Sequence, residues 1–106
     1  MFRVFTTKEF NEWFEYLDES EKKKLRKIMN HIREKGDSIG KLLGRKYFRE
    51  KKFGGKRLYF LVYKKFMVIL GVGISNKKTQ QNTIDKILSE IRNYEKFIIE
   101  KLRGKS

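Results

Sequence analysis

The feature that most constrains this chain is a change of apolar period shortly before its midpoint. Phe10, Trp13, Phe14 and Leu17 recur at the i, i+3, i+4, i+7 spacing of a buried helical stripe, and Leu25, Ile28, Met29 and Ile32 repeat it. Beyond Gly44 the pattern becomes strand-like. Lys46 to Phe53, Arg57 to Tyr63 and Phe66 to Val72 form three such runs, separated by Phe53-Gly54-Gly55-Lys56 and by Lys64-Lys65. Links this short join antiparallel neighbours, so the second half reads as a β-meander. A helical hairpin followed by a meander makes the fold α+β.

Local signals set the remaining boundaries. Thr6-Thr7-Lys8-Glu9 has the form of a capping box, with Phe5 and Phe10 placed as a hydrophobic staple, so a helix is expected to start there after a short extended segment over Phe2 to Phe5. Asp18-Glu19-Ser20-Glu21 offers a second helix start, and Gly36 a stop. Gly36 to Gly44, with three glycines, reads as a loop crossing to the sheet. Ile84, Ile87, Leu88, Ile91, Ile98 and Leu102 predict one final helix from about Thr79 or Thr83 to about Arg103. The expected domain is residues 1–106 as a single unit, since 106 residues build one core and not two.

Charge narrows the partners. Lys and Arg number 27 against 13 Asp and Glu, a net charge of +14, which draws in polyanions: nucleic acid or an acidic protein. With no cysteine, disulfides, thiolate catalysis and Cys-ligated metal centres are excluded, and a reducing cytoplasmic setting is expected. The run from Phe66 to Val72 is far shorter than the roughly 20 residues of a membrane helix, so no membrane partner is expected. The first residues lack the apolar stretch and cleavage site of a secretory signal.

The order strand, helix, helix, three-stranded meander resembles the RelE/ParE superfamily of bacterial and archaeal toxins. Gly55-Lys56-Arg57-Leu58-Tyr59-Phe60 is similar to that family's Gly-aromatic-Arg strand, and Phe48-Arg49-Glu50 to the apolar-Arg element before it. Ile69-Leu70-Gly71-Val72-Gly73, followed by Asn76-Lys77-Lys78-Thr79-Gln80, resembles the strand-end motif of the addiction-module killer branch. The resemblance covers nearly the whole chain. It implies a toxin of a type II toxin-antitoxin pair, checked by a small acidic antitoxin. On the RelE side it implies a metal-independent endoribonuclease cutting mRNA on the ribosome, and on the ParE side a non-enzymatic inhibitor of DNA gyrase.

Cleavage by the RNA's own 2′-hydroxyl needs a proton acceptor, cations around the phosphorane and a donor for the leaving oxygen. Neither metal nor cofactor is expected, because the one histidine, His31, lies beside the apolar stripe of its helix and no acids cluster at ligand spacing. Arginine suits the phosphate: its planar fork binds two oxygens and keeps its charge. Arg57 is the first candidate, since the resemblance puts it where mRNA-cleaving relatives carry a phosphate-contacting arginine.

Its companions depend on parity. Leu58, Phe60 and Val62 want the helical core, and Phe48 is expected on their side, which requires an odd loop with a bulge between the first two meander strands. That arrangement gathers Tyr47, Arg49 and Lys51 on the face of Arg57 and Tyr59. A two-residue Gly54-Gly55 turn would place Lys52 and Glu50 there instead. With the odd loop adopted, the expected catalytic set is Arg57, Arg49, Lys51 and Lys77, and the RNA-binding set Lys78, Tyr47, Tyr59 and Lys52. Lys77 and Lys78 lie just beyond the third strand, next to the expected start of the last helix, where backbone N–H groups also favour an anion, and the two tyrosines are candidates for stacking on bases. Glu50 and Lys51 are the candidate bases, with Glu50 on the far face. No tyrosine or histidine near the chain end matches the one that assists proton transfer in mRNA-cleaving relatives. The nuclease reading requires these cations on one wall of the sheet.

Overall fold

Strand β1 (Arg3–Thr6) leads into helices α1 (Lys8–Tyr16) and α2 (Glu19–Lys35). A 3-10 turn at Gly36–Ser38 and a two-residue strand β2 (Lys41–Leu42) follow. Then come β3 (Phe48–Phe53), β4 (Lys56–Tyr63) and β5 (Val68–Asn76), with helices α3 (Gln80–Ser89) and α4 (Ile91–Leu102) at the end. This computed structural model describes residues 1–44 and 47–104. The expected strand start at Lys46 lies outside them. The five strands form one sheet in the order β1-β5-β4-β3-β2, with β1 parallel to β5 and the other neighbours antiparallel. The α+β meander of the sequence analysis is therefore present, with β1 added to its edge by the α1–α2 crossover.

Helices cover both faces of the sheet. On one, Phe10, Leu17, Leu25 and Ile32 of the helical hairpin pack with Leu58, Phe60, Val62, Ile69 and Ile74. On the other, Ile87, Ile91, Tyr94 and Ile98 of α3 and α4 pack with Phe48, Tyr59, Leu61, Leu70 and Val72. Each buried Leu, Ile or Phe side chain contributes roughly 1.5–3 kcal/mol, so both faces matter to stability. The unbroken apolar run of β4 follows from this, because a strand covered on both sides has no polar face to show.

Several local expectations change. Thr7, not Thr6, caps α1, its hydroxyl accepting from the Phe10 N–H at 3.2 Å. Thr6 instead donates to Asn11 Oδ1 at 2.7 Å. No staple forms, because Phe10 packs on the hairpin side and Phe5 against the α3–α4 side. The second helix start is as read: Asp18 and Glu21 form a reciprocal capping box. Gly36 follows α2 as expected, and space requires the glycine there, since a Cβ would stand 2.1 Å from Ile69 Cδ1.

The last helix is two. Ser89 Oγ donates to the Lys86 carbonyl at 2.7 Å and the Glu90 N–H bonds to Ile87 O at 3.0 Å, closing α3 before α4 begins. An apolar stripe that continues across such a break does not reveal it.

Candidate functional site

Register decides which side chains meet. Phe53 pairs with Lys56, Lys52 with Arg57, Glu50 with Tyr59 and Phe48 with Leu61, so only Gly54 and Gly55 turn the β3–β4 hairpin. Gly54 takes φ 57°, the left-handed value that the first central residue of a type II′ turn requires. The loop is even, and the expected odd loop is corrected. A bulge does exist, but it lies in the neighbouring β4–β5 ladder between Tyr59 and Phe60. Phe48 needed no place beside Phe60, because the second face is also apolar.

The candidate set is therefore divided. Arg49 and Lys51 pair with Phe60 and Leu58 and share the hairpin-facing wall. Arg57, Tyr59, Glu50 and Lys52 share the opposite one. Arg49 is committed elsewhere: Nη1 donates to the Ile39 and Gly40 carbonyls at 3.1 Å each and Nη2 to Asp37 O at 2.7 Å, tying down the 37–40 segment. Tyr59 is fully buried and so presents no ring to a base. Tyr47 is half-buried, its ring centroid 6.0 Å from that of Tyr63.

Around Arg57 the sheet holds a buried polar cluster of its own. Arg57 is 8% exposed and Glu50 3%, and Arg57 Nε is buried without a hydrogen-bond partner among the described residues. Glu50, opposite Tyr59, is one diagonal step from Arg57, roughly 7–8 Å in a ladder. Gln80 Nε2 donates to Glu50 Oε2 at 2.8 Å, and Tyr59 Oη lies 2.9 Å from Ser75 Oγ. Burial is the main cause that pushes the Tyr59 hydroxyl up to about 12; Glu50 adds to it, while Ser75 and Arg57 act against it. Tyr59 therefore stays neutral at ordinary pH.

Lys52 is exposed beside Arg57. Lys77 and Lys78 are exposed in the turn just past Asn76, which pairs with Lys56, and so lie at the same sheet end. That turn is closed by Asn76 Oδ1 accepting from the Thr79 N–H at 2.9 Å. Glu50, set on the far face by the odd loop, thus joins Arg57. Gln80 stands in the strand-end motif, but its bond to Glu50 is made only by the folded sheet, and Ser75 carried no signal at all.

No protein-family model matches the chain, and no curated protein matches it. Solved structures do. The free E. coli toxin RelE, as a double arginine-to-alanine mutant, aligns with a TM-score of 0.68 at 15% identity, covering 81% of this chain and 97% of that one. The toxin-antitoxin complex RelBE of E. coli gives 0.62 at 16% identity over 72% and 96%. The archaeal RelE–RelB complex of Pyrococcus horikoshii OT3 gives 0.58 at 19% over 72% and 94%. The chain has the RelE fold.

Proposed function

We propose that this chain is the toxin of a type II toxin-antitoxin module and a metal-independent endoribonuclease that cuts mRNA in association with the ribosome, arresting translation. The observation that carries this reading is the buried Arg57 guanidinium, its Nε unpartnered, on one wall with Glu50 and Lys52. A buried donor without a partner calls for an explanation, and a phosphate oxygen supplies one. Arg49 and Lys51 stand on the other wall, so the condition that all four cations share one wall is not met; the reading is kept on a smaller set, Arg57, Lys52 and Lys77 around the phosphorane, with Lys78 at its margin. Glu50 takes the 2′-hydroxyl proton as the 2′-oxygen bonds to phosphorus; the bond from phosphorus to the 5′-oxygen breaks, and the leaving oxygen takes its proton from water. Because Glu50 lies buried under Gln80, the first turn of α3 must lift before RNA reaches it. The RelE structures solved with RelB support an antitoxin as the second partner, and the charge of +14 supports an acidic one.

Primer extension on mRNA from cells expressing the chain tests the reading. Arg57→Ala with Lys77→Ala should abolish both the cuts and the growth arrest while leaving a folded protein. Arrest that persists in a folded double mutant would remove the assigned site. The burial of Arg57 and Glu50, and the placing of Arg49 and Lys51 on the other wall, favour a second reading, a ParE-like inhibitor of DNA gyrase acting through its surface. Loss of supercoiling by purified gyrase, with no mRNA cuts, would establish that instead.

A further inference from the structure

The far end of the sheet carries an apolar surface that the proposed reaction does not use. β4 passes into β5 through a 3-10 turn at Lys64–Phe66, and Met67 closes it with φ 53°, the one non-glycine positive φ among the described residues. A long side chain is disfavoured in that conformation. It is held there because the Met67 N–H bonds to Lys64 O at 3.1 Å and its carbonyl accepts from the Arg3 N–H at 2.9 Å. The strained turn pushes apolar groups outward, with Phe66 40% and Met67 44% exposed.

Beside it lies a recess of about 300 Å³ between the turn and α4, its walls including Val62, Tyr63, Phe66, Ile98 and the 41% exposed Ile99. Tyr63 Oη is buried in this wall and lacks a hydrogen-bond partner among the described residues. The rim carries Lys64, Lys65 and one acid, Glu95. Arg57 and Tyr63 stand six residues apart on β4, about 20 Å at strand rise.

We infer that this recess is a docking site for an acidic partner segment, which seats a large apolar side chain between Phe66 and Ile99 and accepts a hydrogen bond from Tyr63. The rim lysines and the net charge of +14 select an acidic occupant over a second copy of this chain, which would meet the same charge. The apolar lining selects a peptide over RNA. Taking the partner to be the antitoxin rests on the proposed function. It adds that the antitoxin anchors well away from Arg57, so binding and toxicity are separable by mutation.

The test uses the full chain and the product of the short acidic reading frame adjoining its gene. Ile99→Asp and Phe66→Ser, both at exposed positions, should keep the wild-type melting curve and full growth arrest while affinity for that product falls at least tenfold. Tyr63→Phe should weaken it by several-fold. If the wild type is not neutralised, or no such reading frame exists, the antitoxin reading falls and this one with it. If wild type and both variants are neutralised equally, only the docking site is overturned. A wild-type dimer lost in Ile99→Asp, or RNA cleavage that changes while antitoxin affinity does not, would also overturn it.

Discussion

Gln80 Nε2 donates to Glu50 Oε2 at 2.8 Å, fastening the first turn of α3 to β3. A bond to a carboxylate is worth more than one between neutral groups, about 1.5 kcal/mol or above. Gln80→Ala should therefore raise hydrogen exchange at Thr83, whose N–H bonds to Thr79 O at 3.0 Å, and at the amide that follows it by roughly tenfold, with exchange in β4 unchanged. Equal exchange in wild type and variant would mean that the contact is not what holds α3 down.

Glu50→Gln keeps the shape and a hydrogen-bonding partner for Gln80 but cannot accept a proton. If Glu50 is the base, mRNA cleavage should fall by about 10²-fold or more, well beyond what a moderately lowered melting temperature explains, since the buried Arg57 guanidinium loses its neighbouring charge. Cleavage at the wild-type rate in a folded Glu50→Gln protein would transfer the role to another group.

Arg49 answers to stability instead. Three carbonyls between Asp37 and Gly40 accept from its guanidinium, and Gly40 beneath it has φ 78° with no room for a Cβ, which would sit 2.3 Å from Glu50 O. Arg49→Ala should cost roughly 2–3 kcal/mol in urea denaturation, and Arg49→Lys most of that, because one ammonium cannot span three acceptors as the fork does. A loss of cleavage with unchanged stability would return Arg49 to the catalytic set.

How legible these roles were depended on how far each signal reaches along the chain. The hairpin stripe and the Asp18–Glu21 box are written within a few residues of one another and hold in the fold, as do the three meander strands, although the third runs Val68–Asn76 and not Phe66–Val72, and β2 lies in the segment expected as a loop. The site turned on one count, the residues in the β3–β4 turn, and that count was inferred from a core assumed to have one face. With one core Phe48 would need the side of Phe60, whereas α3 and α4 give it a second core with Tyr59 and Leu61. One error of parity moved Arg49 and Lys51 to the wall of Arg57 and Glu50 away from it. Arg57 itself, and the shared sheet end of Lys77 and Lys78, did not depend on that parity.

Lys56 Nζ donates to Glu21 Oε2 at 2.7 Å, joining the β3–β4 hairpin to the start of α2. That bond first, and the Asp18 backbone N–H second, hold the Glu21 carboxyl below its ordinary 4.5. A carboxyl depressed in the folded state contributes stability that is complete above the ordinary value and is lost as pH falls through the folded one. The difference in stability between wild type and Glu21→Gln should thus be constant above about pH 5 and shrink below about pH 4.5, staying under about 1 kcal/mol for a pair in reach of water. Urea melts at several pH values would show it. A difference that persists unchanged into strong acid would assign the effect to cap geometry and not to charge.

Phe60 and Leu61 are adjacent on β4, and both are fully buried on opposite faces. In a two-layer fold one of two adjacent strand residues faces water, and truncating it costs little. Here Phe60→Ala should cost about 3–5 kcal/mol and Leu61→Ala about 2–5 kcal/mol, each leaving a cavity in a separate core. If α3 and α4 instead came away readily from the sheet, Leu61→Ala would be nearly silent while Phe60→Ala stayed severe. Denaturant melts of the pair therefore test whether α3 and α4 bury a second core as firmly as the helical hairpin buries the first, independently of any assay of RNA cleavage.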